Sequence, residues 1–208
     1  MTRLVVIFHS FRGTLWRLAE GLAAGAQEAG AEVTLARVNE TTPAEALSAA
    51  GIDKAQEAFA HLPVATPQML IDHDGIALGC GTRFGSTSAA MQSFLDQTGP
   101  LWREGRLVGK TGTAFSASGA GVGQEATIRV LWTFFAHQGM VIVPPGYRSE
   151  PMRDPAKLLG ASPYGAGSIA FAPAPRPSEE EMALARAQGS VWADVTARLL
   201  RGGRQDGG

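Results

Sequence analysis

Cysteine is nearly absent: Cys80 is the only one among 208 residues, which rules out an intramolecular disulfide and fits a reducing compartment. Charge is sparse and balanced. Eighteen Lys and Arg against 19 Asp and Glu leave a net charge of −1, so there is no basic footprint and no nucleic-acid partner is expected. Long apolar runs are missing as well. No stretch approaches the roughly 18–20 residues that span a bilayer, so no integral membrane segment is expected. The first residues lack the charged, apolar and small-residue succession of a signal peptide, which points to a cytoplasmic protein. No two of the four histidines (His9, His61, His73, His137) have metal-ligand spacing, and no metal site is expected. No serine has nucleophile-elbow surroundings, so hydrolase chemistry has no support.

Two nucleotide motifs are also lacking. A dinucleotide fingerprint needs three glycines after the first strand, and only Gly13 stands there. Gly109-Lys110-Thr111 ends like a Walker A motif, but Glu104 occupies the first glycine position and the segment precedes a strand. Neither motif is present in working form.

What the chain does have is a globular composition, 45% hydrophobic with 18% charged residues. Residues 1–200 read as a single domain, and 201–208 as a polar, glycine-rich, flexible tail. The organising stretch is Leu4 to Leu15. Leu4-Val5-Val6-Ile7-Phe8 is a continuous apolar run, the pattern of a strand buried on both faces of a parallel sheet. A short polar loop, Ser10-Phe11-Arg12-Gly13, follows, and helical periodicity begins at once with Leu15, Leu18, Ala19, Leu22 and Ala26. A strand turning directly into a helix presents free N–H groups at the sheet's carboxyl edge, which suits a phosphate. Ser10 and Thr14 add hydroxyls. A ligand-free capped turn has the same pattern, so this stretch alone leaves both readings open.

The first helix is expected to end at Gly30 and a second strand to cover Glu32–Val38. Ala44 to Leu62 reads as a short helix followed by loop, and Pro63 and Pro67 bracket a connection. A third strand is expected at Asp74–Gly79, a loop at Cys80–Ser86 and a helix at Thr87–Gln97. A fourth strand at Lys110–Phe115, a loop at Ser116–Gly123, a helix at Gln124–Gln138 and a fifth strand at Met140–Val143 follow. Pro144 to Pro177 is too long and too rich in proline and glycine for an ordinary connection, with Ser168–Phe171 its one ordered hint. Ser178-Glu179-Glu180-Glu181 has capping-box form and opens a helix running to about Leu200.

Alternating strands and helices predict an α/β fold whose ligand site lies at the carboxyl ends of the strands. Three loops should meet there: residues 9–15, 80–86 and 116–123, each combining glycine with hydroxyls. Arg83-Phe84 either edges a flat heteroaromatic ring, a flavin or a nucleotide base, or leaves Phe84 packed under the loop and Arg83 in solvent; the sequence leaves both readings open. Trp102, after a Gly-Pro turn, reads as a lid or interface residue, whereas Trp16, Trp132 and Trp192 read as core. His61 and His73 read as solvated loop residues. Cys80 reads as a small buried filler.

Several blocks resemble the WrbA family: Thr82-Arg83-Phe84-Gly85, Phe94-Leu95-Asp96-Gln97-Thr98-Gly99, Gly123-Gln124-Glu125, Gly139-Met140-Val141-Ile142-Val143-Pro144 and Pro163-Tyr164-Gly165-Ala166. These are flavodoxin-like NAD(P)H:quinone oxidoreductases that bind FMN. The resemblance implies a five-stranded parallel sheet in the order 2-1-3-4-5, helices on both faces, a late insertion and a homotetramer. It implies two-electron transfer from NADH or NADPH through FMN to a quinone. A flavodoxin-type electron carrier or a non-enzymatic FMN-binding scaffold is the alternative, and the near-zero net charge argues against a carrier.

Carried over by position, the resemblance puts Ser10, Phe11, Arg12, Gly13, Thr14 and Leu15 at the FMN phosphate. Thr82, Arg83 and Phe84, with Ala117, Ser118, Gly119, Ala120, Gly121 and Val122, would meet the flavin ring. His137 would approach from a neighbouring subunit, and Trp102 would line the face where substrate stacks. The chemistry would belong to the flavin, with no catalytic side chain. Arg12 stands where many relatives have a tyrosine associated with the nicotinamide nucleotide. Gly81 replaces a common proline, and Val122 a glycine.

Overall fold

The computed structural model describes residues 1–148, 150–154, 156–172 and 176–203. The central sheet begins with β1 (Arg3–His9), followed by α1 (Thr14–Glu28) and β2 (Glu32–Arg37). Burial on both faces of β1 follows from its unbroken apolar run. Val5 and Ile7 enter one core cluster and Leu4, Val6 and Phe8 the other, all of them fully buried. At about 1.5–3 kcal/mol per buried aliphatic or aromatic side chain, this short segment is a major contributor to the core.

Short helices α2 (Ala44–Ala49), α3 (Asp53–Glu57) and α4 (Pro67–Asp72) lead to β3 (Gly75–Gly81). Next come α5 (Ala89–Asp96), α6 (Gly99–Arg103), β4 (Thr111–Ser118), α7 (Gln124–His137), β5 (Val141–Ile142), β6 (Gly167–Ile169) and α8 (Glu179–Gly202). The parallel sheet runs β2-β1-β3-β4-β5, the expected order. It holds six strands, however, not five. β3 pairs along the length of β4, and the other edge of β4 is shared. β5 takes Thr111 and Gly112, while β6 takes Ser116, Ala117 and Ser118. The late insertion therefore splits the edge strand in two, and its second half returns to the carboxyl end.

Helices cover both faces. α1 and α8 pack so closely that a Cβ on Gly25 would overlap the Arg186 carbonyl, and one on Gly189 the Leu22 carbonyl. Their small residues let backbone touch backbone. Trp192 of α8 is fully buried and donates to Thr111 Oγ1 at 3.0 Å. Gln188 donates to Thr113 Oγ1 at 2.7 Å and Ala114 O at 2.9 Å, and accepts from Ala166 N at 2.6 Å. One amide thus fastens the insertion to β4.

A second anchor is Glu181, 0% exposed and third in a full capping box with Ser178. It accepts from Gly160 N (3.0 Å), Ser168 Oγ (2.8 Å) and Ile169 N (3.3 Å), and pairs with Arg176 at 3.1 Å. A buried carboxylate needs that many partners to offset its desolvation. The helix it opens continues through Gly202, past the expected stop, and residues 204–208 of the expected tail lie outside the described residues.

Other boundaries differ for local reasons. β4 extends to Ser118, into what reads as loop, because β3 and β6 pair with it there. Thr98-Gly99-Pro100 ends α5 but opens α6, since proline suits a first helical turn. Trp16 and Trp132 are only partly buried, unlike Trp192. His73 is no solvated loop residue: it is half-buried, bonding Met69 O at 2.7 Å and Thr34 Oγ1 at 3.1 Å.

Candidate functional site

β1 delivers His9 and Ser10 to the carboxyl edge of the sheet. Ser10, only 3% exposed, accepts the Gly13 amide at 3.1 Å and holds the loop in a tight turn. Gly13 turns at φ 87°, the left-handed region that side chains disfavour, and α1 starts behind it. No side chain caps this helix, and its first turn holds no acidic residue. The first amide bonded within the turn is that of Arg17, to Gly13 O at 2.9 Å. The N–H groups of Thr14, Leu15 and Trp16 have no acceptor among the described residues. They face outward with the positive end of the helix dipole, which suits a single phosphate.

The loop after β3 is locked to the loop after β4 through Thr82. Its amide donates to Ala117 O at 2.9 Å and its hydroxyl to Gly123 O at 3.2 Å. Thr82 Oγ1 also accepts from Gly85 N at 3.1 Å and Thr127 Oγ1 at 2.9 Å. Arg83 and Ser86 exchange backbone bonds of 2.9 Å, a tight turn that holds Phe84 at φ 53° with its ring fully exposed. Arg83 leans back, its guanidinium carbon 4.8 Å from the centre of the Phe11 ring. That cation–π contact joins the first and second loops. In the third loop Ser118 Oγ accepts Gly121 N at 2.7 Å.

Between these loops lies a cleft of about 260 Å³. Of the expected residues, Ser10, Phe11, Arg12, Thr14 and Leu15 line it from the first loop. Thr82 and Arg83 line it from the second, and Ala117, Ser118 and Gly119 from the third. Gly13 shapes the loop from within. Phe84 is not part of the wall, nor are Ala120, Gly121 and Val122; Val122 is 71% exposed. Arg12 lines the cleft while donating to Ala50 O at 3.1 Å, at the end of α2.

Two wall residues, Ala170 and Phe171, come from the insertion and carried no signal in the sequence beyond an apolar tetrapeptide. The parallel ladder of β4 and β6 continues into them: Ala170 N donates to Ser118 O at 2.7 Å and Phe171 N to Gly119 O at 3.2 Å.

A part-buried hydrogen-bond group underlies the first loop. His9, 5% exposed, has Nε2 3.0 Å from Glu40 Oε2. Gln56 Nε2 donates to the same oxygen at 3.0 Å and to Ser10 O at 3.3 Å. Burial pushes the His9 imidazole below its ordinary value despite the carboxylate, so at neutral pH it is uncharged and donates Nε2–H. Burial also acts to raise Glu40, but the Thr42 amide, His9 and Gln56 outweigh it and hold the carboxyl down to about 2.

Trp102 and His137 stand apart from this cleft. Helices that follow parallel strands run back to the amino edge, so α6 and the end of α7 lie at the opposite end of the sheet. There the two side chains line one groove of about 430 Å³ with Phe134 and Gln138, and Trp102 is 60% exposed. Cys80 is buried with its thiol pushed up to about 11 by desolvation, which leaves it inert. No metal-ligating cluster occurs among the described residues. No helix among them is long and apolar enough to cross a membrane.

An uncapped helix N-terminus beside a slot between loops suits a ligand with one phosphate and one flat ring. The comparisons with known proteins agree in fold. A flavodoxin-like, WrbA-like protein from Agrobacterium tumefaciens aligns with a TM-score of 0.66 and 22% identity over 95% of this chain and 99% of its own. A flavodoxin from the domain Archaea aligns at 0.61 and 15% identity over 94% of this chain and 99% of its own. A flavone reductase aligns at 0.61 and 14% identity, covering 94% of this chain and 63% of its own. Sequence similarity carries the assignment further, since the match to one family extends over residues 2–152, from the first strand through the phosphate-type loop to the start of the insertion. The chain belongs to the NADPH-dependent FMN reductase family, and it is an FMN-binding oxidoreductase that takes electrons from a reduced nicotinamide nucleotide.

Proposed function

We propose that the protein is an NAD(P)H:quinone oxidoreductase of WrbA type, with FMN held in the cleft at the carboxyl ends of β1, β3, β4 and β6. The observation that carries the placement is the uncapped start of α1, with three outward amides behind a left-handed Gly13. The amides of Thr14, Leu15 and Trp16 and the Thr14 hydroxyl bind the phosphate. Thr82 and Ser118 hold the second and third loops at a fixed spacing, so the slot for the ring is preorganised. Arg83, braced on Phe11, brings a positive charge to the polar edge of the ring. FMN, once bound, supplies two-electron chemistry that no side chain here provides.

Trp102 and His137 cannot reach the cleft of their own chain. Their exposed groove at the amino edge fits the reading that each completes the site of a neighbouring copy in a homotetramer, Trp102 facing the quinone and His137 the flavin. Arg12, at the rim, would meet the phosphates of the nicotinamide nucleotide. The single cysteine, Cys80, fits a cytoplasmic setting.

The test is steady-state oxidation of NADH and NADPH by FMN-loaded protein, with and without benzoquinone. Fast turnover that depends on quinone supports the proposal. Oxidation that is equally fast without it, or absent with it, overturns the quinone assignment.

A further inference from the structure

Phe171 is 75% exposed, yet its position is fixed. Its amide bonds Gly119 O, its neighbour Ala170 bonds Ser118 O, and the strand behind it is pinned by Glu181. The Cδ2–Cε2 edge of its ring packs against Gly119, where a Cβ would stand 2.5 Å from Cε2 and 2.6 Å from Cδ2. An aromatic ring left open to solvent on a rigid strand end, inside a cleft, and seated on a side-chain-free backbone has the form of a ligand contact. Leaving such a ring in water costs hydrophobic free energy that a flat apolar partner recovers.

We propose that Phe171 is a cofactor-contacting residue, providing the apolar wall for the isoalloxazine ring, and that Gly119 is the seat that keeps this wall in place. The inference rests on the placement of FMN proposed above. Strand order sets the geometry. Phe11 and Arg83 stand at the β1 and β3 side of the cleft, and Phe171 at the β6 side. The Arg83 charge, resting on the Phe11 ring, and the Phe171 ring thus sit at opposite sides of the cleft, matching a ring with one carbonyl-rich and one hydrocarbon end. The insertion that splits the edge strand becomes part of the cofactor site.

The experiment is fluorescence titration of apoprotein with FMN and with riboflavin. Phe171→Ala should raise the Kd for both ligands by the same factor, about 3- to 10-fold, because ring contact is lost and the phosphate anchor is not. Phe171→Trp should restore affinity and quench the emission of bound flavin. Gly119→Ala should weaken binding in the wild-type background but add little in the Phe171→Ala background, since the two residues act as a unit. Gly13→Asp serves as the control for placement and should weaken FMN far more than riboflavin. If Gly13→Asp behaves so while Phe171→Ala binds both ligands like wild type, the wall is overturned and the placement stands. If neither variant changes binding, the placement itself fails and the proposal with it.

Discussion

His9 and Glu40 meet at 3.0 Å beneath the first loop, as a neutral imidazole donating to a carboxylate, not as an ion pair. Both groups shift downward, so in acid the unfolded chain binds more protons than the folded one, and stability falls as pH drops. The His9 contribution is lost as pH falls from about 6.5 towards its lowered folded value. The Glu40 contribution is lost between about 4.5 and about 2. After discounting for partial exposure, Glu40 is worth on the order of 1–2 kcal/mol above that window. Thermal melts across pH 2–7 should show Glu40→Gln with a shallower acid limb below about pH 4.5. Parallel limbs in wild type and variant would remove the carboxylate from this account.

Glu181, itself at zero exposure, holds the insertion with three backbone and hydroxyl bonds and one guanidinium that is 10% exposed. Glu181→Ala should cost about 3–5 kcal/mol, because it strands the Arg176 charge and several buried donors. It should also weaken FMN binding, since β6 carries Ala170 and Phe171 to the cleft. Urea unfolding and flavin titration of the same variant check both halves. A variant of normal stability would contradict the anchor.

Trp102 is exposed on α6, so truncation should leave monomer stability within about 0.5 kcal/mol, unlike the 3–5 expected for a buried tryptophan. If it serves a neighbouring subunit, Trp102→Ala should slow quinone reduction or loosen the assembly while FMN affinity holds. Light scattering and quinone-dependent kinetics read the two effects separately. Wild-type protein that stays monomeric at micromolar concentration with FMN present would sink the shared-site reading.

Arg12 donates to Ala50 O and lines the cleft, and the proposed function gives its charge to the nicotinamide nucleotide. Arg12→Tyr should raise the Michaelis constants for NADH and NADPH several-fold at low salt, a difference that shrinks at high salt because exposed charge contacts are screened. Constants that match wild type at both ionic strengths would show that the Ala50 contact occupies the arginine fully.

Much of the architecture is local in origin and was legible as such. The apolar run of β1 and the 3.6-residue stripe of α1 each name their element without reference to the rest of the chain. The lone glycine before α1 marks the left-handed turn found there, and the capping box places the start of α8. The resemblance in the Thr82–Gly85 and Phe94–Gly99 blocks carried the strand order. What only the tertiary structure decided involves partners far apart in the chain. The sixth strand is three residues long, too short for any period, and exists because β4 has an open edge at Ser116–Ser118. His73 is drawn from solvent by Thr34, and Glu40 is held ionised by donors from three separate segments. Phe171 carries only the local mark of the ordered tetrapeptide Ser168–Phe171, which does not say where it goes. Its place in the cleft follows from pairing with β4, from Glu181 buried behind it, and from the missing side chain of Gly119, which are contacts that exist only once the chain has closed on itself.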